Sequence, residues 1–169
     1  MPASPSSPLS EPSSRQFRSA MGMFATGVTL VTLRTPQGEL AGLTVNSFNS
    51  VSMHPPLIVW SLAERSHSLA AFCAASHYAV NVLAADQHAL ALQFASSSGD
   101  RWRGVDWRPG LGGAPLVAGA LAHFECVNQH HQTEGDHTLF IGRVERCSHH
   151  ADLAPLIFHG GKFFAEHPV

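Results

Sequence analysis

"GLTVNSFNSVSMHPPLIVW" spans Gly42–Trp60 of this 169-residue chain and decides its fold, because two strand patterns flank a polar stretch. Apolar side chains alternate along the first strand, but the alternation reverses at Ser47–Phe48, so the strand must end or bulge there. Pro55–Pro56 separates the polar stretch from "LIVW", which is apolar on both faces and is typical of a fully buried strand. We therefore predict a polar loop between two core strands.

Further strand patterns lie on both sides of this segment. "VTLVTL" (Val28–Leu33) alternates β-branched and apolar residues, and it returns through a turn at Thr35–Glu39 to "LAGLTV" as a hairpin. "YAVNVL", "ALAHFECVNQH" and "HTLFIGRVERC" predict three more strands, the last two joined by "HQTEGD". These connections are too short for parallel crossovers, and no glycine-rich nucleotide-binding motif opens a helix. The sequence therefore predicts a mainly β, antiparallel barrel and not a Rossmann sheet.

Short helices and one long loop complete the predicted architecture. Apolar residues at three- and four-residue steps predict a helix over Arg15–Phe24. Ser66 or Ser68 is placed to cap a second helix, and a third begins at Asp86. Residues 96–114 are glycine-rich, so we expect a long loop or lid whose two tryptophans either cover a flat ring system or pack as a loop core.

Composition limits the partners and the compartment. Ten basic and twelve acidic residues give a net charge of -2, without the basic excess of a nucleic-acid binder. No apolar run is long enough for a membrane span. The cysteines are odd in number and show no CxxC spacing, which indicates free thiols in a reducing cytoplasm. Proline and serine predict a disordered tail over residues 1–14, followed by one domain over residues 15–169.

The polar stretch itself is a candidate binding site. Hydroxyl, amide and backbone N–H groups crowd the segment from Thr44 to Ser52, and such donors can satisfy a phosphate or the edge of a heterocycle. The alternative is an irregular connection whose serines bond their own backbone. Among the cations that could meet a phosphate, Arg65 is the best placed, because it stands beside Ser66 at the start of a predicted helix; the others are Arg101, Arg103 and Lys162.

His137 is the second candidate, between the turn residues Gly135–Asp136 and an apolar strand. From a strand end an imidazole can project into a cleft, although strand-end histidines are also common structural residues. The chain has twelve histidines, including the pairs His130–His131 and His149–His150, so a metal site is conceivable. No HExxH motif is present, and adjacent side chains on a strand point to opposite faces, so no metal ligands are assigned.

Five segments in register resemble the flavin reductase-like family of short-chain NAD(P)H:flavin reductases. They run in order from Phe17 to Phe164 and read "FRSAMGMFATGVTLVT", "GLTVNSFNSVSMHPPL", "YAVNVLAADQ", "EGDHTLFIGRV" and "PLIFHGGKFF". The resemblance implies a homodimer of FMN-binding split β-barrels with Greek-key topology and short peripheral helices. It also implies the reductase component of a two-component flavin-dependent monooxygenase.

The same resemblance implies which residues bind the ligands. His137, in the GDH motif of the family, would lie beside the nicotinamide. Lys162 and Phe163 stand where the family often has an arginine and a tyrosine, so Lys162 replaces only the charge. The flavin ring and ribityl chain would be lined by Thr44, Val45, Asn46, Ser47, Ser50, Val51 and Ser52. The phosphate would lie toward Ser61, Arg65 and Ser66.

We therefore expect a cytoplasmic flavin reductase in which hydride passes directly from C4 of NADH or NADPH to N5 of the flavin. FMN is the preferred flavin and FAD the alternative. A protein of this kind needs no nucleophile and contributes proximity, orientation and electrostatics. Two other functions remain open: a flavoredoxin-like electron carrier with tightly held FMN, and a histidine-rich metal-binding barrel without flavin.

Overall fold

The computed structural model describes residues 12–166, so most of the predicted disordered tail lies outside the described residues. The helices are α1 (Ser14–Met21), α2 (Leu69–Ala74) and α3 (His88–Ala95). Single 3₁₀ turns occur at Ala85–Gln87 and Leu111–Gly113. The strands are β1 (Thr26–Gly27), β2 (Thr29–Arg34), β3 (Leu40–Val45), β4 (Asn49–Met53), β5 (Pro56–Ala63), β6 (His77–Val82), β7 (Trp107–Pro109), β8 (Pro115–Val117), β9 (Ala122–Glu134), β10 (His137–His149), β11 (Leu156–His159) and β12 (Lys162–Ala165).

Seven strands form one antiparallel sheet in the order β3-β2-β6-β9-β10-β5-β4. The sheet curls so that its end strand β3 contacts β5, and the ladder stays open between β3 and β4. A three-stranded sheet, β1-β11-β12, and the ribbon β7-β8 lie beside it. The prediction of a mainly β split barrel with antiparallel strands and short helices is confirmed. No helix within residues 12–166 is long and apolar enough to cross a membrane.

Aromatic side chains fill the barrel interior. Trp60 of β5 stacks on Phe140 of β10, with ring centroids 4.5 Å apart and planes 11° from parallel. Phe72 and Tyr78 meet the Trp60 ring edge-on, and all four side chains are fully buried. These contacts join β5, β6 and α2 to β10, which is far from them in sequence. Only alternate residues of "LIVW" are buried, so the expected fully buried strand has one face in this core and one that is half-buried.

The polar stretch is only partly a loop. β3 ends at Val45, as the reversed alternation predicted, but Asn49–Met53 is strand β4 and pairs antiparallel with β5. The prediction of an uninterrupted loop up to Pro55–Pro56 was wrong. β4 is an edge strand at the open side of the sheet, where polar side chains face water while the backbone pairs with its neighbour, so it lacks an apolar signature.

The connection between β9 and β10 is also shorter than predicted. "HQTEGD" reduces to the two-residue turn Gly135–Asp136, because Glu134 and His137 already form a strand pair. Gly135 has a φ of 62°, which suits glycine in such a turn. His137 is therefore the first residue of a long strand, and its position is fixed by neighbours on both sides.

The segment 96–114 is packed and not a free lid. Arg101 donates hydrogen bonds to the carbonyl oxygens of Ser96 and Gly42, at 2.8 and 3.1 Å. Trp102 meets Phe94 of α3 edge-on at 4.9 Å, and a Cβ added at Gly42 would come within 3.1 Å of Trp102. The loop-core alternative is thus observed, and the expectation of a lid was wrong because the guanidinium is held by the backbone.

Candidate functional site

Asn46, the first residue after β3, lines three adjoining cavities with volumes of about 510, 560 and 200 Å³. Pockets for cofactors and drug-sized ligands commonly enclose about 300–1,000 Å³. The carboxamide of Asn46 is exposed, and it stands where the ladder of the main sheet is open. These cavities together form one groove, which we call the Asn46 groove.

Ser47 lines the 510 Å³ cavity and is held in place by two hydrogen bonds. Its hydroxyl accepts a hydrogen bond from the N–H of Ser61 at 3.0 Å and donates one to the Ser61 carbonyl at 3.2 Å. Thr26 lines the same cavity, and its hydroxyl oxygen is buried without a hydrogen-bond partner in the described residues. Burying a hydroxyl without a hydrogen-bond partner costs free energy, so a polar ligand that bonds Thr26 would remove a cost that the protein carries without ligand. The groove thus fits a ligand with hydrogen-bonding edges.

The 200 Å³ cavity is mainly apolar. Val28, Phe158 and Phe163 line it together with Thr44 and Asn46. The Thr44 hydroxyl donates to the carbonyl oxygen of Ala91 in α3 at 2.6 Å, so its proton is committed to the protein. A flat ring with one apolar edge could enter this end of the groove while Asn46 reaches its polar edge.

Arg18 borders the groove beside α1 and was missed by sequence reasoning. It lines the 560 Å³ cavity with Met21 of α1, Phe158 and the turn Gly160–Gly161 between β11 and β12. A signal was present, because residues three apart on a helix share a face and Arg18 precedes the apolar Met21 by three. The contact with the turn Gly160–Gly161 could not be predicted, since the turn is about 140 residues away in sequence and meets α1 only in the fold.

His137 is held beside Ala63, its partner on β5. Ala63 is two residues beyond Ser61, so His137 lies about 7 Å along the strand from the serine that Ser47 holds. His137 Nδ1 is 2.7 Å from Asp136 Oδ1, and this hydrogen bond is the main cause that lowers the pKa of the Asp136 carboxyl. With Nδ1 engaged, Nε2 is the nitrogen left for a ligand.

The other predicted site residues are more dispersed. Ser61 is joined to Ser47, and Val45 lines the 200 Å³ cavity. Arg65 and Ser66 lie in the turn after β5, where the positive charge of Arg65 also lowers the pKa of Asp136. Four predicted site residues are not in the walls of the three cavities, although their neighbours Asn49 of β4 and Phe163 of β12 are; the four are Ser50, Val51, Ser52 and the exposed Lys162.

The histidines do not gather into a metal site in the part of the chain that the structure describes. Within residues 12–166, no group of three or more histidine, cysteine, aspartate or glutamate side chains could hold a metal ion. His130 and His131 point to opposite faces of β9, as adjacent strand residues do. The metal-binding alternative therefore has no ligand set among these residues.

Comparisons with known proteins show which family the chain resembles. A family model described as a flavin reductase like domain matches residues 21–167. The FMN reductase (NADH) SmoA of Agrobacterium fabrum is 47% identical over 150 residues, which cover 89% of this chain and 84% of that protein. HsaB of Rhodococcus jostii, the reductase subunit of a flavin-dependent monooxygenase, is 34% identical over 154 residues, which cover 91% of this chain and 78% of that one. The structure of the NADH:FAD oxidoreductase SgcE6 of Streptomyces globisporus, in complex with NAD and FAD fragments, superposes with a TM-score of 0.88 at 39% identity, covering 96% of this chain and 98% of that chain.

Proposed function

This chain belongs to the flavin reductase-like domain family, and we propose from that premise that it is an NADH-dependent flavin reductase that prefers FMN. The observation that carries the proposal is the Asn46 groove, with its exposed carboxamide, unpartnered Thr26 hydroxyl and apolar end. The similar proteins named as NADH-dependent reductases of FMN and of FAD support the same donor and the same class of acceptor.

Each part of the groove has a role in the proposal. When both ligands are bound, the flavin supplies the hydride acceptor at N5 and the nicotinamide supplies the hydride at C4. Asn46 and Ser47 bind the polar edge of the ring, and the apolar cavity beside Val45 takes its apolar edge. The Thr44 hydroxyl orients α3 against the groove, because its proton bonds Ala91. The roles assigned to Ser50, Val51, Ser52, Ser61, Arg65, Ser66 and Lys162 stay predictions.

His137 positions the nicotinamide in this proposal. Its Nε2 is available while Asp136 holds Nδ1 at 2.7 Å. His137→Ala should raise the KM for NADH or lower the reduction rate by about 10-fold, the effect of losing one hydrogen bond of average to high strength. The dissociation constant for FMN, measured by fluorescence quenching, should change less than twofold. An equal loss of flavin affinity contradicts this division of labour.

The flavin acts as a diffusing substrate in this proposal, and a steady-state titration tests it. NADH oxidation is measured while free FMN is raised from far below to far above the enzyme concentration. A rate that saturates with excess FMN over many turnovers supports a reductase that releases its product. FMN that stays bound and is reduced once supports the electron carrier instead. No NADH oxidation and no flavin binding would contradict both flavin functions.

The reduced flavin would pass to a flavin-dependent monooxygenase. The similarity to HsaB, named as the reductase subunit of such an enzyme, supports this partner class. We also propose a cytoplasmic location, because the three cysteines Cys73, Cys126 and Cys147 are all free thiols, and free thiols persist in reducing compartments.

A homodimer completes the proposal, with α1 at the contact between the two copies. α1 has no buried residue, and its apolar side chains Phe17, Met21 and the following Phe24 are 59%, 55% and 66% exposed. An exposed apolar cluster on a helix of only eight residues indicates a surface that another chain covers. Phe17 lies outside the walls of the three cavities, so Phe17→Glu should shift the mass by light scattering from dimer to monomer. An unchanged mass for this variant contradicts the contact through α1.

A further inference from the structure

The end of the Asn46 groove beside α1 has features that the proposed function does not use. Its 560 Å³ cavity contains one cationic side chain, Arg18, and no acidic one. Ser19, Phe24 and the turn Gly160–Gly161 complete the wall around the guanidinium. Within residues 12–166, Arg18 takes part in no ion pair. A cation that opens into a ligand-sized cavity without an internal counter-charge leaves its hydrogen-bond donors for a bound anion.

Two contacts fix Arg18 against the glycine turn. The N–H of Gly160 donates to the carbonyl of Gly22 at 2.9 Å, and the N–H of Gly22 donates to the carbonyl of Arg18 at 3.0 Å. At its other end α1 begins with a capping box between Ser13 and Gln16. The capping box defines where the helix begins, and the C-terminal end is tied to the glycine turn, so the cavity wall is built from two segments that the fold brings together.

The glycine turn presents bare backbone to the cavity. Gly160 and Gly161 have φ values of 56° and 79°, and a Cβ added to either would have no neighbouring atom within 4 Å. Glycine is therefore required by the left-handed backbone and not by a crowded neighbour. Since no side chain stands above this turn, a bulky anion can approach the wall opposite Arg18.

We infer that Arg18, together with Ser19 and the turn Gly160–Gly161, forms a subsite for a phosphate group of a bound nucleotide. A guanidinium can bind two phosphate oxygens at once, and a serine hydroxyl can donate to a third. This inference rests on the proposed function, because both proposed ligands carry phosphate. The phosphate is either that of the flavin or that of the dinucleotide; the chemistry recognised is the same.

Arg65 is a second arginine that could bind a phosphate, and it lies in a different part of the structure from Arg18. Arg65 lies near Asp136, at the His137 end of the site, because its charge lowers the pKa of that carboxyl. Arg18 lies in a cavity that shares no residue with the turn after β5, which carries Arg65. Two nucleotides that meet at their rings require two anion sites, and Arg18 and Arg65 are cations in two different parts of the structure.

A comparison of ligands with and without phosphate tests the inference. Arg18→Ala, Arg18→Lys and Arg65→Ala are prepared in the full chain, with Arg15→Ala as the matched control, because Arg15 is an exposed arginine of the same helix outside the cavity. Dissociation constants are measured for FMN and for riboflavin, which lacks the phosphate. KM values are measured for NADH and for reduced nicotinamide riboside. Thermal unfolding confirms that each variant is folded.

Two results support the subsite, and they distinguish the source of the phosphate. If it binds the flavin phosphate, Arg18→Ala weakens FMN about 10- to 100-fold and leaves riboflavin within about twofold. If it binds the dinucleotide, the same loss appears in KM for NADH but not for reduced nicotinamide riboside. Arg18→Lys should recover part of the loss, because the charge remains while the planar fork is absent.

Three results overturn the inference. Arg18→Ala could behave like Arg15→Ala for all four ligands, or it could weaken riboflavin as strongly as FMN, which would show a general effect on the groove. The preference for the ligands with phosphate could also be lost in Arg65→Ala and fully retained in Arg18→Ala. Failure of the proposed function is a separate observation, because the unmodified protein would then bind neither FMN nor riboflavin.

Discussion

Trp60 and Ser61 are neighbours on β5, but they belong to two regions that differ in what covers them: the interior is covered by the chain itself, and the groove is open to a ligand. Trp60 is fully buried and stacks on Phe140 within the barrel interior. Ser61 faces the other side of the strand, where its backbone bonds the hydroxyl of Ser47 at the Asn46 groove. The interior is packed by aromatic contacts within the chain, although Trp60 Nε1 and the Tyr78 hydroxyl are buried there without hydrogen-bond partners. The groove instead has an exposed carboxamide at Asn46 and an unpartnered Thr26 hydroxyl beside a ligand-sized cavity.

The difference separates stability from binding. Apolar burial in the interior stabilises the folded chain at every pH and without ligand. Unused donors and acceptors in the groove contribute little to folding, and they become useful only when a ligand arrives. Changes in the interior should therefore lower the free energy of unfolding, and changes in the groove should lower affinity.

The largest effect is expected from Trp60→Ala. The ring contacts Phe72, Tyr78 and Phe140, so its removal leaves a cavity with three aromatic walls. We expect a loss of about 3–5 kcal/mol in the free energy of unfolding, measured by urea denaturation. Ser47→Ala on the groove side should cost about 1 kcal/mol or less, because Ser47 is exposed. Similar losses for the two variants would remove the distinction between the regions.

A smaller loss of stability is expected from Gly142→Ala. A Cβ at Gly142 would collide with the hydroxyl of Tyr78, and its distance to Tyr78 Cζ would be only 2.9 Å. Overpacking of this kind costs about 1–3 kcal/mol. The Tyr78 hydroxyl is buried without a partner, so Tyr78→Phe should be close to neutral alone and should recover part of the Gly142→Ala loss. A double-mutant cycle with no coupling contradicts the collision.

Asn46→Ala is expected to change affinity and not stability. Asn46 is the residue common to all three cavities, so its loss should weaken FMN binding about 10-fold or more. The urea midpoint should stay the same within error, because the side chain is exposed. Gln129→Ala is a matched control, since Gln129 is an exposed amide on β9 outside the groove. Unchanged FMN affinity in Asn46→Ala would falsify the groove as the flavin site.

The smallest effect concerns His123 and the pH dependence of stability. His123 is 7% exposed, and burial is the main cause that lowers its pKa below the usual 6.5. The unfolded chain takes up a proton there at a higher pH than the folded chain does, so stability is lost as pH falls below about 6.5. His123→Gln should make the urea midpoint less sensitive to pH between 5 and 8.

The sequence predicted those features that depend on neighbouring residues. The β2–β3 hairpin and the end of β3 after Val45 followed from alternation and turn residues. β5 was predicted from its apolar run as a fully buried strand, but only alternate residues of it are buried. The predicted helix over Arg15–Phe24 is observed as Ser14–Met21, beginning one residue earlier because Ser13 and Gln16 form a capping box. Asn46 and His137 were named because polar residues interrupt or begin apolar strands, which is a local signal.

Features that depend on distant neighbours were missed or misinterpreted. Arg101 looked like a cation available for phosphate, but its donors bond the backbone of Ser96 and Gly42. Asn49–Met53 looked like a loop because its own residues show no strand pattern. It is a strand because its backbone pairs with that of β5, which lies outside this segment of the sequence. For Arg18 the sequence showed only the helical spacing to Met21, and the turn Gly160–Gly161 that completes the cavity wall is brought to it by the fold.

By itself, the sequence determined which segments are strands with a buried face, where the polar stretch interrupts them, and which family the five segments resemble. Only the tertiary structure decided which polar groups are already satisfied and which face the groove. The physical reason is that hydrophobic periodicity is written in adjacent residues, whereas the partner of a hydrogen bond or the wall of a cavity comes from whichever segment the fold places opposite. Arg101 and Arg18 are the same residue type with opposite outcomes, and only their neighbours in space distinguish them.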